Sequence, residues 1–392
     1  MATVNIRCYS EPDTYKQFST DTLLALVDEH REFLATKGVV LPERGAGPEI
    51  DYEHLALAFL DADVVPAKLV ERLHLVKQMS SKDAMDRILD RVKERKLPIV
   101  FTPNSTAMDI AAQFLLKHEA EFRRVHAEKA VARYRGLTFF VGRPLPGFTM
   151  PKDLSGLEAT LNDWYEAHQR GRTVKLLWRQ KGTKFWIYIR HAEPLRREGC
   201  IELSENKSGS MMYWPEKHDL VIFDPEAGEM GVHGDCKDEP ELFRQAFGEH
   251  LCGDKEFFPL GRRKYTLDPL KKLHQAALVC AGIEGLDDVT LTELEYIESG
   301  EVWGQHRIRA EDVFAHLESK GLRIPQEAEM RQAKFAVKFR DARKVRIVVL
   351  RPSNYAQVGQ DDDAMILEAF FERQGFHAEN GEGHGEGMWS VA

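Results

Sequence analysis

The sequence predicts an α+β fold with a helical N-terminal domain, a central antiparallel β-rich region and a C-terminal ββα-type layer. Three observations predict it: helical periodicity in the first third of the chain, alternating apolar residues after Thr173, and a strand–strand–helix order that occurs twice near the C-terminus. The expected domains are 1–143, 152–280 and 285–376, followed by a flexible tail at 377–392.

Composition narrows the class of protein. The chain has 392 residues, of which 43% are hydrophobic and 30% charged, as is typical of a globular protein with two or three domains. The apolar runs are shorter than a bilayer span, and the start MATVNIRCYSEPD lacks the pattern of a secretory signal. Five scattered cysteines favour reduced thiols in the cytoplasm. The net charge of −9 argues against a protein that coats nucleic acid non-specifically.

The N-terminal third predicts a series of helices. The segment from Ser19 to Lys37 carries an apolar stripe and ends at Gly38. Pro66 favours the first turn of a helix that runs to about Met79.

Two capping boxes mark further helix starts. Ser80 and Asp83 have the required spacing, and so do Thr106 and Asp109. The second box opens a helical pattern that continues to Tyr134.

The central region begins after a proline-rich connector from Pro144 to Pro151. A helix is predicted from Ser155 to His168, before the first hairpin. Two more strands, His218–Asp224 and Glu229–Gly234, precede a helix at Glu239–Cys252.

The C-terminal region has the order of an internal duplication, although its halves share little sequence. Two predicted strands, Val289–Ile297 and Glu301–Arg309, are followed by a helix at Ala310–Lys320. The order repeats in Lys334–Arg340, Lys344–Leu350 and Asp361–Gln374. Such a unit places both helices on one face of a sheet.

The first predicted hairpin, TVKLLWRQKGTKFWIYIR, runs from Thr173 to Arg190. A two-residue turn at Lys181–Gly182 sets its register, because side chains alternate between faces along a strand. The apolar face then pairs Trp178 with Phe185, Leu176 with Ile187, and Val174 with Ile189. The other face pairs Arg179 with Lys184, Leu177 with Trp186, and Lys175 with Tyr188. Like charges on opposite strands repel each other, so we expect this face to splay into water or meet an anion.

The second predicted hairpin, KFAVKFRDARKVRIVVL, repeats this feature. Its apolar face pairs Phe339 with Val345, Val337 with Ile347, and Phe335 with Val349. Its outer face sets Lys338 opposite Arg346 and Arg340 opposite Lys344.

Together these hairpins predict two nucleic-acid contact faces, since cations suit phosphates and aromatic rings stack on bases. The first face consists of Lys175, Arg179, Lys184, Trp186, Tyr188 and Arg190. The second consists of Lys338, Arg340, Lys344 and Arg346. The alternative is that both faces are ordinary solvated surfaces neutralised by nearby carboxylates, with Trp186 and Tyr188 packed inside the fold.

We therefore expect a non-enzymatic recognition or scaffold subunit of a cytoplasmic complex, which contacts nucleic acid and a protein partner and needs no cofactor. A bacterial antiviral defence or regulatory assembly is a natural setting. Phosphate-loop, GxGxxG, GxSxG and HExxH motifs do not occur in the sequence.

Two other functions stay open. A metal-dependent nuclease or other hydrolase would use the acidic residues near Asp219 to Glu229, among them Asp224 and Glu226, with a metal ion. His191 with Glu193 is a separate candidate for proton transfer. A purely protein-binding module would dock a partner through its N-terminal helices.

Zinc is the weaker interpretation of four further residues. His233, Cys236, His250 and Cys252 offer nitrogen and sulfur ligands, but the one-residue gap in the second pair departs from zinc-site spacing. We expect free cysteines and no metal.

Overall fold

The α+β class is confirmed by a computed structural model, which combines helices with a large antiparallel sheet. The structure describes residues 4, 6–43, 50–60, 65–131, 136–202, 207–234, 238–298, 303–340, 342, 344–357 and 361–378. Of the predicted tail at 377–392, His377 is held by Glu368 and by a bridge to Tyr265, and the part from residue 379 onward lies outside the described residues. Two compact units result: Met1–Ala130 with Gly199–Met211, and Val131–Glu198 with Met212–Ala392.

The first unit is built from helices. They are α1 (Pro12–Tyr15), α2 (Thr20–Val27), α3 (Arg31–Thr36), α4 (Tyr52–Leu57), α5 (Ala67–Gln78), α6 (Lys82–Arg95), α7 (Ala107–Lys117) and α8 (Glu119–Val131). Their apolar stripes converge on one core, in which Leu26, Leu69, Ile88 and Phe114 are fully buried. Helices of this length need such packing, because they are marginal in isolation.

The second predicted capping box is confirmed. The side chain of Thr106 accepts a hydrogen bond from the backbone N–H of Asp109. The helix that follows is shorter than predicted, because His118 leaves helical geometry (φ −141°, ψ 50°) and separates α7 from α8.

The first predicted capping box is wrong by one residue. Ser81 rather than Ser80 caps α6, and it accepts from the backbone N–H of Ala84. The hydroxyl of Ser80 instead donates to the carbonyl of Lys77 in the last turn of α5.

The second unit is organised around a ten-stranded antiparallel sheet in the order β2-β3-β6-β7-β1-β12-β11-β10-β8-β9. Its strands are β1 (Gly136–Val141), β2 (Lys175–Lys181), β3 (Lys184–Ala192), β6 (Glu216–Asp224), β7 (Glu229–His233), β8 (Leu286–Glu298), β9 (Gly304–Arg309), β10 (Glu329–Phe339), β11 (Arg346–Arg351) and β12 (Tyr355–Gln357). Strands β4 (Arg196–Glu202) and β5 (Lys207–Tyr213), most of whose residues belong to the first unit, form a separate two-stranded sheet. The helices are α9 (Ser155–Ala167), α10 (Glu239–Cys252), α11 (Asp268–Lys272), α12 (Val313–Ser319) and α13 (Asp361–Arg373).

Helices cover opposite faces of the two halves of this sheet. Two cores lie on this sheet, apart from the core of the helical unit. In the first core, as it is called hereafter, α9 and α10 pack on β3, β6 and β7. In the second core, α11, α12 and α13 pack on β8, β10 and β11. The change of face is visible at β1, where Phe140 packs against the first core and Phe139 against the second. Adjacent residues of a strand point to opposite faces. The second half therefore has a sheet face turned away from its own helices.

The predicted order of the C-terminal region is observed, with the short strand β12 added before α13. Both α12 and α13 pack on one face, as predicted, since Leu317 and Phe370 belong to the same core. The domain limits differ from the predicted ones. Hydrogen bonds from β1 to β7 and to β12 join strands of all three predicted domains into one sheet.

Candidate nucleic-acid interface

The first predicted hairpin exists, but its register is shifted by two residues. Strands β2 and β3 are joined by a turn at Gly182–Thr183, in which Gly182 has a φ of +61°. Arg179 therefore lies opposite Trp186 rather than Lys184. A shift of two keeps every side chain on its predicted face. The apolar face is confirmed, because Phe185, Ile187 and Ile189 are buried in the first core.

Like charges do lie opposite each other in this hairpin, but the residues that pair are not the predicted ones. They are Lys175 with Arg190 and Lys181 with Lys184. Carboxylates of the same fold accompany two of these cations. Lys175 Nζ lies 3.1 Å from Glu158 Oε2, and Lys184 Nζ lies 3.7 Å from an Asp224 oxygen.

The two aromatic residues of this face pack within the fold. Tyr188 is only 5% exposed, and it forms a small apolar cluster with Leu220. Trp186 and Ile222 pack against that cluster. The ring of Tyr188 is therefore not open to a stacked base.

The predicted register of the second hairpin is wrong by one residue. Val337 lies opposite Arg346, and Ala336 lies opposite Ile347. A one-residue slip moves every side chain of one strand to the other face. Arg346 consequently lies on the face of the second core, where it pairs with Asp363 and sits 5.4 Å above the ring of Phe339.

The four cations of the predicted second face are therefore not together. Lys338 alternates with buried Val337 and Phe339, so it lies on the face opposite Arg346. Arg340 pairs with Asp287, with Nε 3.3 Å from Oδ1. Lys344 is exposed and precedes β11.

Strand pairing brings together a set of charges that no single sequence segment shows. On the sheet face opposite the second core, hereafter the open face, Glu293 lies opposite both Lys334 and Arg309, and Glu295 lies opposite Arg307. The cations of the open face are Arg307, Arg309, Lys334, Lys338 and Arg351. Its acidic residues are Asp288, Glu293, Glu295 and Glu329. The alternating pattern of the segment QHRIR in β9 is the sequence signal for a charged strand face. It does not show which strand lies beside β9.

Glu293 is the centre of the polar network on the open face, and the residue is 3% exposed. Its Oε1 lies 2.7 Å from Lys334 Nζ and accepts from Arg307 Nη2 at 2.9 Å and from Gln332 Nε2 at 3.2 Å. Burial alone would raise the pKa of Glu293, but hydrogen bonds from Lys334 and Arg307 outweigh it and lower that pKa. The carboxylate is thus fixed and charged, and it orders two cations around itself.

A depression of about 350 Å³ opens on this face. It is lined by Glu295, Arg307, Gln332, Lys334, Val349, Arg351 and Gln357. At one side, Arg351 Nε donates to Gln332 Oε1 at 2.8 Å, and the guanidinium lies 4.8 Å from the centre of the Tyr355 ring.

The residues of the hydrolase hypothesis do not form one centre. Asp219 belongs to the first core's side of β6 and is fully buried, whereas Asp224 alternates to the other face beside Lys184. His191 is buried and bonds Asp219 at 2.8 Å, while Glu193 pairs with Arg196. No shared proton-transfer site results from His191 and Glu193.

Within the described residues, one group has the geometry of a metal site: His191, Asp219 and Glu239. A cation already lies among these groups. Lys217 Nζ is 3.2 Å from Asp219 Oδ1 and 3.3 Å from Glu239 Oε2, and Arg170 bonds Glu239 at 2.6 Å. Both carboxylates are fully buried. Paired cations are what a buried carboxylate requires, so the arrangement fits an internal ion network.

The four candidate zinc ligands have other surroundings where the structure describes them. His233 bonds the carbonyl of Gly136, and His250 lies 2.8 Å from the hydroxyl of Thr160. Burial raises the pKa of Cys252 to about 12, which disfavours the thiolate that zinc needs. Cys236 lies outside the described residues.

Comparison with known proteins adds no family. No protein-family model matches the chain, and the curated proteins give no sequence match. Among the described residues, every helix is too short or too polar to cross a bilayer.

Proposed function

We propose that the protein is a non-enzymatic nucleic-acid-binding subunit and that the open face is its contact surface. The observation that carries the proposal is the concentration of five cations on one sheet face, three of which line a depression, in a chain with a net charge of −9. A local basic surface of this kind attracts phosphates despite an acidic whole.

The cations of the open face differ in how strongly other residues of the fold hold them in place. Lys334 and Arg307 are tied to Glu293 and order the surface. Arg309 and Arg351 are exposed, and Lys338 donates to the carbonyl of Ala342. These three are the cations that we assign to phosphate contact.

Of the four cations predicted from the second hairpin, this assignment keeps only Lys338. Lys338 belongs to the open face, whereas Arg346 lies on the far side of the sheet. The first-hairpin face remains a separate proposal for contact, carried by its two pairs of opposed cations. Carboxylates beside Lys175 and Lys184 make it the weaker surface.

The proposed setting is a cytoplasmic assembly with a protein partner, such as a defence or regulatory complex. Scattered cysteines in a chain of this size support a reducing compartment. Co-purification of a partner from nuclease-treated lysate tests this part of the proposal.

Fluorescence anisotropy with short labelled RNA and DNA strands, measured across salt concentration, tests the contact surface. The triple variant R309A/K338A/R351A should lose affinity, and its log K against log salt should flatten by about 2, since each phosphate contact on a single strand contributes about 0.7. The matched control K175A/R179A/K184A removes three cations from the first hairpin and should leave binding by the open face intact.

Three other outcomes would overturn or change the proposal. Absence of wild-type binding at low salt overturns the proposal. Loss of binding in the hairpin control alone moves the contact to the first hairpin. A cleaved product that forms with Mg²⁺ and disappears with chelator favours the hydrolase.

A further inference from the structure

Arg351 is held with its guanidinium facing a tyrosine ring. Its Nε donates to Gln332 Oε1 at 2.8 Å, and Gln332 in turn donates to buried Glu293. The guanidinium carbon lies 4.8 Å from the centre of the Tyr355 ring. Because two contacts fix its orientation, this exposed side chain presents a planar cation rather than a freely moving charge.

The position of Tyr355 depends on a glycine in the neighbouring strand. A Cβ added at Gly136 would lie 2.1 Å from the hydroxyl oxygen of Tyr355 and 2.6 Å from its ring carbon Cζ. The phenol end therefore occupies the space above β1 that any larger residue would fill. Glycine at this position allows the ring to lie against the sheet.

Aliphatic side chains of β11 share the sheet face of Arg351. Along β11, Val349 and Ile347 alternate onto the same face as Arg351; Val349 is 7% exposed and Ile347 is 54% exposed. A planar cation held on an aromatic ring suits the flat face of a nucleobase. A paired duplex cannot use such a surface, because its bases are already stacked on one another inside the double helix.

We infer that Arg351 and Tyr355 form a stacking platform for an unpaired base, which makes single-stranded nucleic acid the ligand class of the open face. The inference rests on the proposed function. Lys338 on β10 and Arg309 on β9 lie farther along the open face, where they would meet phosphates of nucleotides beyond the stacked base.

The test separates stacking from charge. Labelled single strands with bases, abasic strands of the same length and duplexes are compared by anisotropy, in RNA and DNA forms. The wild-type protein should bind base-bearing strands roughly tenfold more tightly than abasic strands, as one stacked base typically gives. R351K keeps the charge but loses the plane, so this ratio should fall towards one while the salt slope is kept. R323K, the matched control at an exposed arginine outside the open face, should change neither quantity.

A second variant tests the platform from its other side. G136A should displace Tyr355 and reduce the same ratio, and circular dichroism with urea unfolding establishes whether the variant folds. If it does not fold, R351K still decides. The RNA and DNA arms identify which strand the face prefers.

The failures are distinguishable. Absence of binding to every probe removes the proposed function together with the platform. Equal binding of base-bearing and abasic strands overturns the platform and leaves phosphate contact standing. Duplex binding as tight as single-strand binding, or an R351K variant that keeps the full ratio, also overturns it.

Discussion

The Nζ atom of Lys334 lies 2.7 Å from Oε1 of Glu293, a carboxylate whose side chain is only 4% exposed. The same oxygen accepts a hydrogen bond from Arg307 Nη2 at 2.9 Å. One buried carboxylate thus both orders and partly neutralises two cations of the open face. Stability and surface charge are coupled at this residue.

Replacing Glu293 should separate these two roles. In E293Q the cations lose their counter-ion, so the free energy of unfolding should fall by about 2 kcal/mol, less than for a fully buried pair because Arg307 is half-exposed. Affinity for a single strand should rise, since the face gains positive charge. Urea unfolding and anisotropy measure the two effects.

The matched control is E295Q, which also removes one negative charge from the open face. Glu295 pairs only with Arg307 among the ion pairs of the described residues, so its stability cost should be smaller while its effect on binding is similar. Weaker binding by E293Q would show that ordering the cations matters more than neutralising them.

The β10–β11 register predicts different costs for two neighbouring cations. R346A removes a pair with Asp363 and a contact above the Phe339 ring, so we expect a loss of roughly 1 kcal/mol in unfolding free energy. K344A changes an exposed residue before β11 and should cost little. Urea denaturation of both variants is the measurement, and equal costs would contradict the observed register.

Glu368 should give the protein a characteristic acid sensitivity. Burial would raise its pKa, but hydrogen bonds from His377 and Tyr265 and the ammonium of Lys264 lower it from an ordinary 4.5 to about 2. A lowered folded pKa stabilises the protein above the unfolded value, and this contribution is lost as pH falls from about 4.5 towards 2.

The variant E368Q should therefore lose on the order of 2 kcal/mol of stability at neutral pH and show a flatter melting profile in acid. Thermal unfolding across pH tests this. E372Q, on an exposed position of the same helix, should follow the wild type. An E368Q variant with the wild-type acid profile would show that other carboxylates cause the transition.

Lys217 should make the buried ion network independent of metal. Its ammonium lies between Asp219 and Glu239, so we expect chelator and Mn²⁺ to leave the melting temperature of the wild-type protein unchanged. K217M leaves these buried carboxylates under-paired and should lower the unfolding free energy by about 3 kcal/mol. The exposed control K152M should have little effect. A chelator-dependent loss of wild-type stability would point to a bound metal instead.

Local patterns predicted the elements and the faces of the first hairpin. Alternation placed Phe185 and Ile187 inside, because a strand with one buried face must repeat every two residues. It did not identify the turn, since both Lys181–Gly182 and Gly182–Thr183 leave that alternation intact. Only strand pairing chose between them.

The second hairpin shows where alternation fails. Residues 347–350 read IVVL, an unbroken apolar run whose inward face cannot be read from period two. Packing beneath α12 and α13 buries Val348 and Leu350 and exposes Ile347. That choice moved Arg346 away from Lys338.

By itself the sequence determined the α+β class, the order of helices and strands, and the acidic whole with its basic segments, because these depend on local periodicity and composition. The tertiary structure alone decided the open face. Arg307, Lys334 and Arg351 come from three separate strands, and they become neighbours only through hydrogen bonds between segments far apart in the chain.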